Sequence, residues 1–443
     1  MVNQSGRLWQ KRGTFVMAAA ASAIGLGNIW RFPHELGTNG GSAFLFIYLA
    51  CIALVCLPVM LAEALIGRVG GKGPVQSFSV ISRLQGKSFI TSSFWPLIGL
   101  MGALTGFMIA SFYSVVGGWT LAYLLDAIVQ GSTTTSEGSQ VYFSKLESRV
   151  GFEILMMLLF IGLTAAIVYQ GVVKGLERFL RILTPAILIM LVVLMLYSFS
   201  VGSPSQGLAY MFSPDFSKLS WGIVLKAMGH AFFSLSLGMG VLITFGSYTP
   251  KDQNLGQMIL LVGVLDTLVA LLAAAVIFPL VFAFDNLQVN AGPSLVFVAL
   301  PQIFSVISWG GVFQIVFFAL LLVAALSSMV SIVEPAISAL ENYFGWKRAQ
   351  ASHVIFGLVS ALGIGCALDS AVFNTMDFVS ANVLLPLGGI LIALYVGWVL
   401  KPELYTDQVG LPTGLLRRIW MAMVCVVSPA CIGWVLYNGL FNS

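Results

Sequence analysis

Apolar runs of helical length, separated by short polar and basic connections, recur along the whole chain. Crossing the hydrocarbon core of a bilayer takes roughly 20 apolar residues per helix. Runs of that kind cover approximately 13–36, 42–69, 92–126, 151–171, 179–200, 221–248, 255–284, 312–342, 352–368, 376–400 and 417–438. The ten-residue alternation of a membrane barrel strand is absent. In lipid every backbone polar group needs an internal partner, which leaves helices as the spanning element. The pattern therefore predicts an all-α integral membrane protein with 11 transmembrane helices. The connections "GVVKGLERFLR" and "NYFGWKRAQ" are too short and too basic for domain linkers, so 1–443 reads as a single domain.

Composition agrees with this and adds direction. Of 443 residues, 58% are hydrophobic and 9% charged, more apolar surface than a soluble fold can hide. Of the 21 Lys and Arg, sixteen lie at the N-terminus or in alternate loops: Arg7, Lys11, Arg12, Arg68, Lys72, Arg83, Lys87, Lys174, Arg178, Arg181, Lys251, Lys347, Arg348, Lys401, Arg417 and Arg418. The opposite loops hold Lys145, Arg149 and Lys218, and Arg31 and Lys226 fall within spans. The positive-inside rule puts the N-terminus in the cytoplasm, and an odd number of crossings puts the C-terminus outside the cell membrane. The net charge of +4 reflects this topology and is no sign of nucleic-acid binding; the expected surroundings are membrane lipid. "MAAAASA" resembles the end of a signal peptide, but the apolar run continues through it, and cleavage is not expected. Cys51, Cys56, Cys366, Cys425 and Cys431 sit in apolar spans without metal-type spacing and read as packing residues. Paired catalytic acids, a His/Cys cluster or a nucleophile beside a base are not evident, so an enzyme is not expected.

The first and sixth spans break the apolar pattern in the same way. In "AAAASAIGLGNIWRFP" (18–33) Gly25, Gly27, Asn28 and Arg31 each weaken a membrane helix, and "AFFSLSLGMGVLITFGSY" (231–248) carries Gly238 and Gly240 at the matching depth. Hydroxyls flank both breaks, from Ser22 in one and from Ser234 and Ser236 in the other. A helix broken in lipid exposes N–H groups at one half and C=O groups at the other, which an anion and a cation satisfy. Two such spans, five apart, point to an inverted-repeat transporter whose site lies near the bilayer midplane. The alternative is that the glycines only allow close helix packing.

"GLGNIWRFP", "NGGSAF", "AFFSLSLGMG" and "ALSSMVSIVEP" resemble, in order and over nearly the whole chain, the neurotransmitter:sodium symporters, the family of the bacterial leucine transporter. Within it the chain is most similar to bacterial transporters of bulky hydrophobic L-amino acids. The resemblance implies two inverted five-helix repeats, 11–200 and 221–400, with helices 1 and 6 unwound at mid-membrane, and an extra helix over 417–438. It implies a sodium-coupled symporter importing hydrophobic or aromatic L-amino acids by alternating access. The alternative is a non-transporting amino-acid sensor on the same fold.

The resemblance also implies the site residues. A first sodium ion (Na+) takes the Ala23 carbonyl, Asn28, Ser234 and Asp266, and a second the carbonyls of Ala21, Ile24 and Ala324 with the hydroxyls of Ser327 and Ser328. Oxygen ligands suit a hard cation. The substrate pocket takes Ser22, Ala23, Leu26, Gly27, Ile109, Tyr113, Phe233, Ser234, Ser236, Met239, Ser328 and Ile332. Ser22 stands where monoamine-carrying relatives have an aspartate, which implies a substrate bringing its own carboxylate. Met239 replaces a phenylalanine of the leucine transporter, with a flexible thioether able to yield to bulk; packing alone is the other reading.

Arg31 and Asp377 match the outer gate, and Tyr113 and Phe233 its aromatic lid. Glu63 matches a glutamate that binds the broken sixth helix, and Tyr48 a tyrosine near the ion sites. Lys226, His230 and Ser234 share a helix face, which places His230 in the outer vestibule. At the inner gate Gly6 and Asn342 stand where the family has a charged pair; Arg7 and Glu341 are each one residue away, and Trp9 is retained. Gly175 and Pro185 fit a Gly-x9-Pro element that weakens the fifth span. Ala270 falls where many bacterial relatives have a glutamate and chloride-dependent animal relatives a serine. With Asp266 one turn earlier, transport is expected to be independent of chloride.

Overall fold

The computed structural model describes residues 12–86, 94–130, 138–171, 178–250, 252–283, 295–411 and 414–441. Among them the regular structure is helical throughout. In chain order these helices are α1 (Arg12–Ala23), α2 (Phe32–Thr38), α3 (Ser42–Gly70), α4 (Pro74–Leu84), α5 (Pro96–Gln130), α6 (Gly138–Ser148), α7 (Val150–Val168), α8 (Arg178–Val201) and α9 (Pro204–Phe212). They continue with α10 (Trp221–Ser234), α11 (Val241–Ser247), α12 (Leu255–Ala283), α13 (Leu300–Val306), α14 (Gly310–Phe344), α15 (Arg348–Leu368), α16 (Ser370–Val399), α17 (Pro402–Tyr405) and α18 (Gly414–Asn438).

Nine of them are long and apolar enough to cross a membrane: α3, α5, α7, α8, α12, α14, α15, α16 and α18. Each coincides with one of the apolar runs. The first and sixth runs are made of shorter pieces, α1 with α2 and α10 with α11. The long helices carry apolar residues on all sides, as lipid requires: Leu158, Leu163, Ile189 and Leu358 face outward, while Phe160, Leu191 and Val359 are buried.

Proline explains most places where the helices widen. π-helical turns cover Gly27–Arg31, Ile52–Cys56, Leu295–Ala299, Val379–Leu384 and Met423–Val427, and Pro33, Pro58, Pro301, Pro386 and Pro429 each stand two residues past the end of the turn, whereas the π-turn Tyr395–Val399 has Lys401 at that position. A proline ring clashes with the carbonyl four residues earlier and has no N–H to offer it, so the ladder opens there. Neighbouring helices take up freed carbonyls: Tyr123 Oη donates to Phe297 and Trp398 Nε1 to Cys425, each four residues before a proline.

Glycines set the closest approaches. A Cβ at Gly67 would run into the Ile243 carbonyl, and one at Gly246 into that of Ala64, so α3 and α11 touch backbone to backbone. The carboxylate of Glu63, also on α3, accepts the Gly238 N–H at 3.1 Å. These contacts hold the second broken segment against α3, while α5 and α14 pack side by side across the centre.

Candidate binding site between two broken helices

α1 stops at Ala23 and the helical path resumes at Leu26. α10 stops at Ser234, and the chain passes through Ser236 (φ +53°), Gly238 (φ +81°) and Gly240 (φ +78°) before α11 begins. Left-handed backbone costs glycine nothing and a serine something, so Ser236 is held there by its surroundings. Its hydroxyl donates to the Ser22 carbonyl at 3.4 Å, tying one break to the other.

On one side of the breaks four polar side chains meet, all essentially without exposure. Asn28 Nδ2 donates to Asp266 Oδ1 at 2.7 Å and to the Asp266 carbonyl at 3.1 Å. Ser234 Oγ donates to the same carboxylate at 3.0 and 3.2 Å, and Tyr48 Oη reaches Oδ2 at 3.4 Å. Asn28 Oδ1 accepts the Gly25 N–H at 3.1 Å, a backbone donor released by the break. Ala23 ends α1 one turn away. The donor set is an amide, two hydroxyls, a carboxylate and a backbone carbonyl, the oxygen chemistry a sodium ion takes as cargo.

On the other side α14 presents hydroxyls to the end of α1. Ser327 Oγ lies 2.9 Å from the Ala324 carbonyl and 3.4 Å from that of Ile24, and Ser328 Oγ donates to the Ser22 carbonyl at 2.8 Å. Ala21 lies on α1, three residues before Ile24.

Between these clusters is a small cavity of about 20 Å³. Every residue assigned above to the substrate pocket lines it: Ser22, Ala23, Leu26, Gly27, Ile109, Tyr113, Phe233, Ser234, Ser236, Met239, Ser328 and Ile332. Gly25 joins them; a Cβ there would collide with Ser328, which explains the residue type. Tyr113 Oη accepts the Leu26 N–H at 3.3 Å, and the buried Ser22 hydroxyl has no hydrogen-bond partner among the described residues.

Above it opens a larger cavity of about 650 Å³, and Tyr113 and Phe233 border both. The Arg31 guanidinium sits 4.6 Å above the Phe233 ring, 3.6 Å from Asp377 and 4.0 Å from Glu35. Such a half-exposed, long pair is worth about 0–1 kcal/mol, weak enough to be broken repeatedly. On the opposite wall Trp119 Nε1 donates to Glu153 at 2.7 Å, and burial pushes the Glu147 carboxyl above its usual range.

One expectation changes. His230 does not line the outer cavity: it is buried among the rings of Phe32, Phe44 and Tyr48, because its face of α10 turns toward α3. Lys226, one turn earlier, instead reaches Asn39 at 2.9 Å. Toward the end of α14 Glu341 lies 3.9 Å from Arg348, and Asn342 donates to the Ser338 carbonyl at 2.7 Å. Gly6, Arg7, Trp9 and Gly175 lie outside the described residues.

Sequence reasoning also missed a buried charge cluster. Arg348, read only as a topology-setting loop residue, makes a two-pronged pair with the fully buried Glu334 at 2.9 and 2.7 Å. Tyr248 donates to Glu334 at 2.9 Å, and Arg348 Nε to the Val168 carbonyl at 3.0 Å. The signal was a glutamate inside an apolar run, "SIVEP".

Comparison with known proteins agrees with this geometry. The model of the sodium:neurotransmitter symporter family matches residues 7–139 and 140–443. An uncharacterized sodium-dependent transporter of Haemophilus influenzae is 32% identical over 99% of both chains. One of Bacillus subtilis is 34% identical over 92% of this chain and 91% of its own. The crystal structure of MhsT in complex with L-phenylalanine is 39% identical, with a TM-score of 0.89 over 98% of this chain and 99% of that one. With nine helices fit to cross a bilayer and a symporter model matched from end to end, this chain is a multi-pass membrane protein that belongs to the sodium:neurotransmitter symporter family.

Proposed function

We propose that the protein is a sodium-coupled symporter that imports hydrophobic and aromatic L-amino acids by alternating access, without chloride. The reading rests on one observation: two oxygen-rich clusters flank one cavity at two helix breaks. A first sodium ion is held by Ala23, Asn28, Ser234 and Asp266, and a second by Ala21, Ile24, Ala324, Ser327 and Ser328. The substrate carboxylate meets Tyr113 and the N–H groups near Leu26 and Gly27, and its ammonium meets Ser22 and the carbonyls beyond Ser234. Apolar walls from Ile109, Met239 and Ile332 take the side chain, and the L-phenylalanine bound in the MhsT complex is an amino acid of that class.

The architecture that goes with this function has eleven crossings, the first and sixth unwound at mid-membrane. It consists of inverted repeats over 11–200 and 221–400 and a further helix over 417–438. The N-terminus is cytoplasmic and the C-terminus outside the cell membrane. Arg31, Asp377, Tyr113 and Phe233 form the outer gate.

The test is uptake of labelled phenylalanine, tryptophan, leucine and alanine into proteoliposomes under an inward sodium gradient, with potassium as control and gluconate in place of chloride. Accumulation that needs sodium and survives gluconate supports the proposal. Binding without sodium-driven accumulation assigns the protein as a sensor, and loss of uptake in gluconate removes chloride independence.

A further inference from the structure

The unwound stretch between α10 and α11 is gripped by glycines of two other helices, and neither glycine lines the small cavity. A Cβ on Gly102 of α5 would lie 3.0 Å from the Met239 carbonyl carbon, 3.1 Å from the Gly240 nitrogen and 3.2 Å from the Gly238 oxygen. A Cβ on Gly388 of α16 would lie 2.5 Å from that same oxygen and 3.0 Å from the Gly238 Cα. The backbone from Gly238 to Gly240 therefore occupies room that two missing methyl groups leave open. Pro74 of α4 stands at its far end, 3.0 Å from where a Cβ on Gly240 would be. Met239, held by its backbone on these sides, gives its side chain to the cavity wall. In that cavity the Ser22 hydroxyl, on a residue only 2% exposed, has no hydrogen-bond partner among the described residues, which marks the space as one for a polar ligand group.

A space of about 20 Å³ holds little more than one water, so an amino-acid side chain enters only as the wall draws back. We propose that Gly102 sets the upper size of the substrate side chain: without a Cβ it lets the Met239–Gly240 peptide lie back on α5, and that setback is the room a bulky side chain uses. Gly102 is a positioning residue that acts through Met239, and its role rests on the reading of the cavity as the amino-acid site. A methyl group at position 102 meets backbone atoms, which have no rotamer with which to step aside. The peptide must shift off α5. With α16 and α4 already against it, the shift carries Met239 toward the cavity.

The test is competition binding of tryptophan, leucine and L-alanine to the purified full-length chain at saturating sodium. Gly102→Ala should weaken tryptophan binding at least about tenfold and L-alanine binding less than about threefold, with leucine between, as an overpacked wall does. Equal losses for all three, or no loss, would overturn the proposal. Adding Met239→Ala to Gly102→Ala returns volume to the cavity and should restore tryptophan relative to L-alanine; failure to do so also overturns it. Gly256→Ala is the control, since its Cβ would come 3.2 Å from Leu411, away from the cavity. It should leave the ratios at their wild-type values, and a shift like that of Gly102→Ala would show a general effect of tight packing and overturn the specific role. Near-ultraviolet circular dichroism verifies the fold of each variant. A wild type that binds none of the three overturns the reading of the cavity and this inference with it, whereas binding by wild type with unchanged ratios in Gly102→Ala overturns the role of Gly102 alone.

Discussion

In the proposed first ion site Asp266 supplies the only formal charge. Its carboxylate is ringed by Asn28, Ser234 and Tyr48, all neutral donors, so a cation entering the cluster faces an uncompensated carboxylate in a low-dielectric interior. Replacing Asp266 by asparagine keeps the shape and removes the charge. Sodium affinity, measured by sodium-dependent substrate binding, should fall at least about tenfold, or about 1.4 kcal/mol. Affinity equal to wild type would show that the ion sits elsewhere. Met239 makes a second prediction at this scale. It borders a cavity of about 20 Å³, and its backbone is pinned against Gly102, so the flexible thioether is the part of that wall able to yield. Met239→Phe should weaken tryptophan binding more than leucine or alanine binding in competition assays; equal weakening would leave Met239 a packing residue. Residue types carried these assignments, because a helix break, its neighbouring hydroxyls and a lone carboxylate leave marks in one stretch of sequence each. His230 left no such mark: its burial depends on Phe32, Phe44 and Tyr48, contributed by other helices.

Among the elements, apolar length found the long helices and missed their internal register. A run such as 42–69 reads as one helix, while the structure inserts a π-turn at Ile52–Cys56 ahead of Pro58. The proline is visible in the sequence. What accepts or replaces the opened hydrogen bonds is not, since the partner is on another helix. Tyr123 is such a partner for the Phe297 carbonyl, buried on α5 and facing the turn ahead of Pro301. Tyr123→Phe removes the donor and leaves a buried carbonyl unsatisfied, which costs about 1–3 kcal/mol. The thermal unfolding midpoint of the detergent-solubilised protein should fall accordingly, with substrate affinity unchanged because Tyr123 is remote from the small cavity. An unchanged midpoint would mean that water replaces the hydroxyl.

For the molecule as a whole, the two ends are closed by different means, and this decides which end resists opening. The outer side has the loose Arg31–Asp377 pair under a wide cavity. The end that the proposed orientation makes cytoplasmic has Glu334 wholly buried, bound by both prongs of Arg348 and by Tyr248, so that α7, α11, α14 and α15 are fastened at one point. In the proposed alternating-access cycle the inner wall parts, and this cluster is then rearranged or carried along as a unit. Removing one partner of a buried pair leaves an uncompensated charge and typically costs about 3–5 kcal/mol, whereas removing both together costs far less. Arg348→Ala alone should therefore lower the unfolding midpoint sharply. Combining Glu334→Gln with Arg348→Met should recover much of the loss, since an amide and a thioether replace both members of the buried pair and Glu341 alone keeps its charge there. In proteoliposomes the double variant should release preloaded substrate faster than wild type, because the inner wall has lost its fastening while the ion and substrate clusters, lined by other residues, are intact. If the double variant unfolds as early as Arg348→Ala, the pair is not coupled in the way the geometry implies. If it folds well and releases substrate at the wild-type rate, the cluster stabilises the fold without governing the inner opening.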